Sequence, residues 1–319
     1  LPEGSSLAVP LFCQGPRQRK AYPASHRYLS VTAMPPGPAL LVGGTISDAE
    51  GVHFPLEFLA PQLLRCHERG WWVEAHGVGV DPIRTIEGRA VFQRAFLPIR
   101  KWTVRSAACR DALLALGVPA ERVHVAADWA WLYRPEGDNR DWAKAAWRSW
   151  GRDERMPLVV MNLVEPWEGL AQVIASMSSN YQVAFFSNDS RADAPDQRVV
   201  ETLRWQGLRV PADSYSPEEA VALLAEADVV VAQRYHTAVE AVLGGSRVVL
   251  LARPGRKVHS LGAELGVRVI DRAGDIPGMV AMAEPPDASS LVQRAARLVQ
   301  ELPGLHSPKV RPGRALVVH

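Results

Sequence analysis

Two pairs of cationic side chains follow neighbouring apolar segments in the last third of the chain. The segment 228–267 reads as strand, helix, strand and helix, with Arg234 and His236 after its first strand and Arg256 and Lys257 after its second. The carboxyl ends of parallel strands and the N-termini of the helices that follow lie at one edge of an open α/β sheet. These side chains are therefore expected to converge there on a phosphate or a carboxylate.

The composition limits the classes of protein to consider. The chain has 319 residues, of which 47% are hydrophobic and 22% charged, which is enough apolar material for two ordinary domains. A net charge of +2 gives no reason to expect nucleic acid as a partner. Cys13, Cys66 and Cys109 are too few and too widely spaced for a disulfide framework or a zinc module, which favours a reducing cytoplasm. No apolar run approaches the roughly 18 residues of a transmembrane segment.

Strand and helix patterns alternate along most of the chain. Regular alternation begins near Ala39, and a stretch rich in Trp, Arg and Asp at 129–156 interrupts it. This predicts an α/β protein with two doubly wound Rossmann-like domains facing a cleft, a GT-B-like fold, with domains at 1–140 and 141–319. A last helix at Ala288–Leu302 is expected to precede a basic tail.

Glycine-rich turns follow two strands of the first predicted domain. Gly43 and Gly44 follow one strand, while Gly77 and Gly79 end the next, with His76 beside them. Such turns permit close backbone approach to a ligand, although turn geometry alone is the ordinary explanation. The spacing lacks the GxGxxG pattern, so a dinucleotide site is not predicted.

Arg105 ends a further strand of the first predicted domain. Its side chain is expected either to point into the interdomain cleft or to pair with a local acid at the surface. Three acids in the second half, Asp189, Asp193 and Asp196, do not have the spacing of a calcium loop, so helix capping and solvation explain them. No metal site is predicted, and the sequence contains no GxSxG, Walker or HExxH motif.

The segment VVVAQRYHTAVEAVLGGSRVVLLARPGRKVHSLGAELGV resembles the signature of polysaccharide pyruvyl transferases, with an Arg-x-His at a helix start and a later Lys-Val before Leu-Gly. Supporting segments occur earlier in matching order, and the likeness extends over about residues 39–267. They are ALLVGGTISD, EAHGVGVDP, KWTVRSAACRDALLALGV and ERVHVAADWAW.

The resemblance implies an enzyme that forms a pyruvate ketal on a sugar diol of a cell-surface polysaccharide or its precursor. Phosphoenolpyruvate would be the co-substrate, phosphate would be released, and no cofactor would be needed. By the same resemblance Arg105, Arg234 and Lys257 bind the donor, with Arg256 sharing the role of Lys257. His236, together with Arg234, would be catalytic, and His236 would do the acid/base work.

Two alternatives remain open at this point. A GT-B glycosyltransferase that uses a nucleotide sugar would suit the same architecture and cations. The chain also departs from the family pattern at Thr45, Val80, Ser106 and Trp129 and shows no Asn-x-Gly-Asp loop, so a catalytically silent homologue is the second alternative. The acceptor stays open, and a lipid-linked acceptor would bring a cytoplasmic enzyme to the inner membrane surface.

Overall fold

The protein folds into two compact α/β units. The structure, a computed structural model, describes residues 7–8, 39–42, 44–49, 52–133, 139–187, 195–203, 205, 207–211, 215–253, 257–300 and 314–317. One unit comprises Leu1–Leu132 with Ser289–His319, and the other comprises Tyr133–Ala288.

The first unit is built on a parallel sheet with the strand order β1-β15-β2-β6-β7-β8, and β3 pairs with β6 beside this path. A separate antiparallel pair is formed by β4 and β5. The strands are β1 (Leu7–Ala8), β2 (Ala39–Val42), β3 (Thr45–Ile46), β4 (Asp48–Ala49), β5 (Val52–Pro55), β6 (Val73–Val80), β7 (Lys101–Val104), β8 (Val123–Val125) and β15 (Arg314–Val317).

Side-chain caps begin two helices of the first unit. The hydroxyl of Thr85 accepts the N–H of Gly88 at 2.9 Å, and that of Ser106 accepts the N–H of Cys109 at 3.3 Å, which satisfies amides that a helix start leaves unpaired. The helices of this unit are α1 (Leu56–Glu68), α2 (Ile86–Ala95), α3 (Ala107–Ala115) and α11 (Ser289–Gln300).

The core of the first unit lies between its sheet and helices. Phe92 of α2 stacks on Phe96 and on Trp102 of β7, with ring centroids 5.4 and 6.1 Å apart, and all three are fully buried. Large aromatic side chains of this kind contribute much of the apolar area that stabilises such a core. They fix the end of β7, where Arg105 follows.

The second unit contains a parallel sheet in the order β11-β10-β9-β12-β13-β14. Counted within the unit, this is the order 3-2-1-4-5-6 of the Rossmann fold. Continuous apolar runs are typical of parallel strands covered on both faces. The strands are β9 (Leu158–Asn162), β10 (Gln182–Phe185), β11 (Leu208–Arg209), β12 (Val229–Ala232), β13 (Arg247–Leu251) and β14 (Val269–Ile270).

Helices connect these strands. The hydroxyl of Ser216 and the carboxylate of Glu219 form a reciprocal capping box at the start of α7, with Pro217 at the first helical position. The indole N–H of Trp147 in α4 donates to the carbonyl of Leu223 in α7 at 2.9 Å. The helices are α4 (Arg140–Ser149), α5 (Leu170–Met177), α6 (Pro195–Thr202), α7 (Pro217–Ala225), α8 (Tyr235–Leu243), α9 (Lys257–Leu265) and α10 (Ile276–Met282).

The division of the chain differs from the sequence prediction at its C-terminal end. The helix α11 and the strand β15 belong to the first unit, whereas the prediction placed everything after residue 140 in the second domain. The expected basic tail contains β15, which pairs with β1 and β2 in the first sheet. None of the helices within the described ranges is long and apolar enough to cross a membrane.

Candidate functional site

A pocket of about 380 Å³ opens at the carboxyl edge of the second sheet. Its walls come from the residues that follow β9, β12 and β13 and from the N-termini of α8 and α9. In a sheet of this order, the ends of β9 and β12 flank the point where the strand order reverses, which is where open α/β folds bind ligands. The polar lining comprises Glu165, Gln233, Arg234, His236, Arg253 and Lys257.

Arg234 is held in the pocket by a buried carboxylate. Its Nε donates to Asp196 at 2.9 Å and its Nη2 donates to the same group, so that the two side chains form a fork. Asp196 is fully buried and also accepts the hydroxyl of Ser187 at 2.9 Å. The prediction that capping and solvation explain Asp196 is therefore wrong, since this carboxylate orients Arg234.

Two buried amide side chains fix the floor of the pocket. The Oδ1 of Asn162 accepts the backbone N–H of Arg234 at 3.2 Å, and its Nδ2 donates to the carbonyl of Phe186 at 3.1 Å. The Oε1 of Gln233 accepts the N–H groups of Val164 and Glu165 at 2.7 and 3.2 Å. These bonds tie the loop after β9 to the end of β12, so the pocket has a rigid base.

His236 and Lys257 lie at the starts of α8 and α9. Both side chains are exposed and both line the pocket, as Arg234 does, so the structure brings these three predicted residues together. The ring of His236 meets that of Tyr235 edge to face, with centroids 5.5 Å apart. Helix N-termini carry partial positive charge, which adds to the attraction of the side chains for an anion. Arg256 lies outside the described residues.

Arg253 and Glu165 of the pocket lining form a second cluster with Trp167. The Nε of Arg253 lies 3.5 Å from the Oε1 of Glu165, and the centre of its guanidinium lies 5.4 Å above the ring of Trp167. No sequence pattern singles out these residues, because 88 positions separate Glu165 from Arg253 and neither belongs to a local motif. The one available signal was the position of Arg253 at the end of an apolar run.

Glu240 is a buried acid one helical turn after His236 on α8. Within the part of the chain that the structure describes, its Oε2 atom is buried and makes no hydrogen bond, although the residue as a whole is partly exposed. Burial raises the pKa of Glu240 from 4.5 to about 8, because the apolar surroundings disfavour its charged form. No motif in the sequence points to this group.

Arg105 is buried within the first unit, where its side chain is 2% exposed. Its Nη1 pairs with Asp128 at 3.2 Å and its Nη2 donates to the hydroxyl of Thr45 at 2.8 Å. It therefore pairs with a local acid, as one of the two expectations had it, but it does so in the interior rather than at the surface. Its contact with a donor molecule stays a prediction.

His76 is fully buried with partners on both ring nitrogens. Its Nε2 lies 3.1 Å from a carboxylate oxygen of Glu74, and its Nδ1 lies 3.3 Å from the hydroxyl of Thr103. Packing and hydrogen bonding within the first unit account for this histidine.

Close packing also accounts for the glycines of β6. A Cβ at Gly77, whose φ is 64°, would lie 2.3 Å from the ring of Trp129, and one at Gly79 would lie 2.1 Å from the guanidinium of Arg105. Gly44, with a φ of 70°, accepts the N–H of Gly79 at 2.8 Å. Gly43 lies outside the described residues.

The two described cysteines are buried. Burial raises the pKa of Cys66 to about 11, so its thiol is protonated and unreactive at neutral pH. Among the described residues, no group of three or more His, Cys, Asp or Glu side chains is placed to hold a metal ion.

Comparison with solved structures identifies proteins of the same fold. The UDP-GlcNAc 2-epimerase from Methanocaldococcus jannaschii matches with a TM-score of 0.53 and 12% identity, over 82% of this chain and 76% of the other. MnaA from S. aureus, solved with UDP, matches with a TM-score of 0.52 and 10% identity, over 81% of this chain and 69% of the other. The likeness confirms the predicted fold class, two Rossmann-like domains of GT-B type.

No protein-family model matches the sequence, and no curated protein matches it.

Proposed function

We propose that this chain is a transferase that binds phosphoenolpyruvate in the pocket of its second unit and moves the pyruvyl group to a sugar diol. The observation that carries the proposal is the placement of Arg234, His236 and Lys257 on one pocket at the Rossmann switch point. The same three residues form the Arg-x-His and Lys positions of the pyruvyl transferase pattern.

The chemistry requires both charge stabilisation and proton transfer. Protonation of the methylene carbon of phosphoenolpyruvate leaves an oxocarbenium-like C2, which a first sugar hydroxyl attacks while losing its proton. A second hydroxyl then displaces phosphate from C2, so the C–O bond to phosphate breaks, the ketal closes, and the hydroxyl proton leaves with the phosphate. Cations that hold the phosphate and carboxylate stabilise these steps, and a residue that exchanges protons accelerates them.

His236 is the proposed proton-transfer residue. Its side chain is exposed at the pocket, where it can reach a bound molecule, and imidazole exchanges protons near neutral pH. Arg234 and Lys257 hold the anionic groups of the donor in the proposal. Asp196 fixes the guanidinium of Arg234, so the group loses little rotational freedom when a ligand binds.

A second candidate function is supported by the comparison of folds. An enzyme acting on a nucleotide sugar would use the same cationic pocket for its diphosphate, and the M. jannaschii protein of similar fold is a UDP-GlcNAc 2-epimerase. The two candidates differ in the donor that the pocket accepts.

Thermal unfolding with each donor separates the two candidates. Phosphoenolpyruvate is expected to raise the melting temperature of the wild-type chain, because a ligand that binds the native state stabilises it, whereas UDP-GlcNAc and UDP are not. A shift with UDP or UDP-GlcNAc alone would favour the nucleotide-sugar function. No shift with any of the three would favour the catalytically silent homologue.

The variant His236→Ala tests the site assignment. It is expected to lower phosphate release from phosphoenolpyruvate in the presence of sugar diols by about 100-fold or more, which is typical of the loss of a general acid or base. The matched control is His259→Ala, which removes an exposed histidine on α9 that does not line the pocket. Equal phosphate release by the two variants would contradict the assignment.

A further inference from the structure

Arg253 is a second guanidinium at the mouth of the pocket. It is the second residue after β13, it lines the pocket with Arg234 and His236, and its side chain is 62% exposed. The proposed donor carries a phosphate and a carboxylate, and each of these groups is suited to a guanidinium partner. Asp196 already engages two nitrogens of Arg234, so Arg253 offers the pocket a second guanidinium for an anionic group of the ligand.

The contact between Arg253 and Glu165 is weak in its geometry. One nitrogen, Nε, lies 3.5 Å from one carboxylate oxygen at a solvent-exposed position. By contrast, Arg155 meets Asp153 through two nitrogens, each at 2.9 Å from a carboxylate oxygen. A single long ion-pair contact that is exposed to water contributes little to stability. An incoming anion can therefore replace Glu165 at a small cost in free energy.

Trp167 supports Arg253 independently of Glu165. The guanidinium lies 5.4 Å above the indole ring, within the range of a cation–π interaction. The indole packs against the buried hydrophobic cluster of the second unit, so it forms a fixed platform. Arg253 therefore keeps its place at the pocket when its carboxylate partner changes, which lowers the entropic cost of binding a ligand.

We infer that Arg253 is an anion-binding residue of this pocket and that Glu165 competes with the anionic ligand for it. In the bound state, the phosphate or carboxylate of the ligand takes the place of the Glu165 carboxylate on the guanidinium. The inference rests on the proposed function to the extent that the ligand is an anionic donor. It adds a residue outside the Arg-x-His pattern and a carboxylate that tunes the affinity.

Opposite effects of two neutralising substitutions test this inference. Calorimetric titration of the full chain with phosphoenolpyruvate is expected to show about tenfold weaker binding for Arg253→Gln, which loses a charged partner of the ligand. For Glu165→Gln it is expected to show up to about threefold tighter binding, because the competitor has gone.

Matched controls come from exposed ion pairs in the same unit. Arg155→Gln and Glu154→Gln change the net charge in the same way, and the side chains they replace are 89% and 62% exposed. Both are expected to bind phosphoenolpyruvate as the wild-type chain does. If the affinity for phosphoenolpyruvate changed as much in the controls as in the pocket variants, net charge alone would explain the effect. That result would overturn the inference.

The remaining outcomes separate the inference from the proposed function. Both pocket variants could bind phosphoenolpyruvate with the affinity of the wild-type chain, or both could bind it more weakly. Either result would overturn the proposed competition between the ligand and Glu165, and the donor assignment would stand. If the wild-type chain binds UDP and not phosphoenolpyruvate, the proposed donor is wrong. Weaker UDP binding by Arg253→Gln and tighter UDP binding by Glu165→Gln would still support the role of Arg253 as an anion-binding residue. Binding of neither probe would overturn both.

Discussion

Arg234 contributes to the pocket as one half of an ion pair with the buried Asp196. Its Nε and Nη2 are directed at that carboxylate, and its side chain is 35% exposed. Removal of one partner of such a pair leaves a buried charge without compensation, which destabilises a protein strongly. Substitution of Arg234 therefore tests stability together with binding, and His236 is the cleaner probe of chemistry.

Glu240 is expected to make the stability of the second unit dependent on pH. Its pKa is raised from 4.5 to about 8, so between these values the native state keeps a proton that the unfolded state releases. The stabilisation that comes from the protonated acid is thus complete below the unfolded pKa and decreases as the pH rises towards the folded pKa. The slope from this group is at most about 1.4 kcal/mol per pH unit.

The variant Glu240→Gln should remove this dependence, because the amide copies the size of the neutral acid. Chemical unfolding at pH 5, 6.5 and 8 is expected to show the variant gaining stability over wild type as the pH rises. Glu201→Gln, at an exposed position of α6, serves as the control and should differ from wild type by a constant amount. A constant difference for Glu240→Gln as well would show that the acid titrates normally.

The positions of single residues within a local pattern were predictable from the sequence, whereas their partners far along the chain were not. The sequence places Arg234 at a strand end and His236 on the following helix, because the change of periodicity is visible within a few residues. Asp196 lies 38 positions before Arg234, and only the folded sheet brings the two together. The same holds for Trp167 and Arg253, whose contact depends on the order of the strands.

Among the elements, β6 shows how glycines shape the first unit. The pairing of β6 with β7 shifts register between His76 and Val78, and Gly77 adopts its positive φ at this irregularity. Beyond it, Gly79 leaves room for the guanidinium of Arg105. The absence of a Cβ at Gly79 therefore lets the long charged side chain of Arg105 pack against the end of the strand.

The variant Gly79→Ala should displace Arg105 from Asp128 and Thr45. The added Cβ would lie 2.1 Å from the guanidinium, so the buried ion pair would have to break or move. Chemical unfolding is expected to show a loss of about 3 kcal/mol in the stability of the first unit.

Gly278→Ala is the matched control. Gly278 lies in α10, and a Cβ added there would have no atom within 4 Å. This variant should be at least as stable as wild type, because alanine favours a helix over glycine. Wild-type stability in Gly79→Ala would show that Arg105 can move without losing its partners.

The elements themselves were largely predictable from sequence. The alternation of apolar runs and helical patterns predicts β9, β12 and β13 and the helices α8 and α9 between residues 158 and 265 to within a few residues of their observed bounds. The strand β15 was missed, because its partners are β1 and β2 near the other end of the chain. Pairing over such a separation leaves no trace in the local pattern.

For the whole molecule, the chain forms two units with separate sheets and separate buried clusters. Its path passes from the first unit to the second near Leu132 and returns at Ser289. Two-domain α/β architecture follows from length, composition and alternation, so it was predictable. The return of the last helix and strand to the first unit was not, because an amphipathic helix has the same pattern whichever sheet it covers.

An anionic three-carbon donor is proposed to bind in the pocket of the second unit. The most direct test is a crystal structure of the chain with phosphoenolpyruvate. Electron density for the phosphate and carboxylate is expected in contact with Arg234, Lys257 and Arg253 beyond the ends of β12 and β13, with His236 beside the bound molecule. Density for the ligand at another place, or an empty pocket at a concentration that saturates binding in solution, would contradict it.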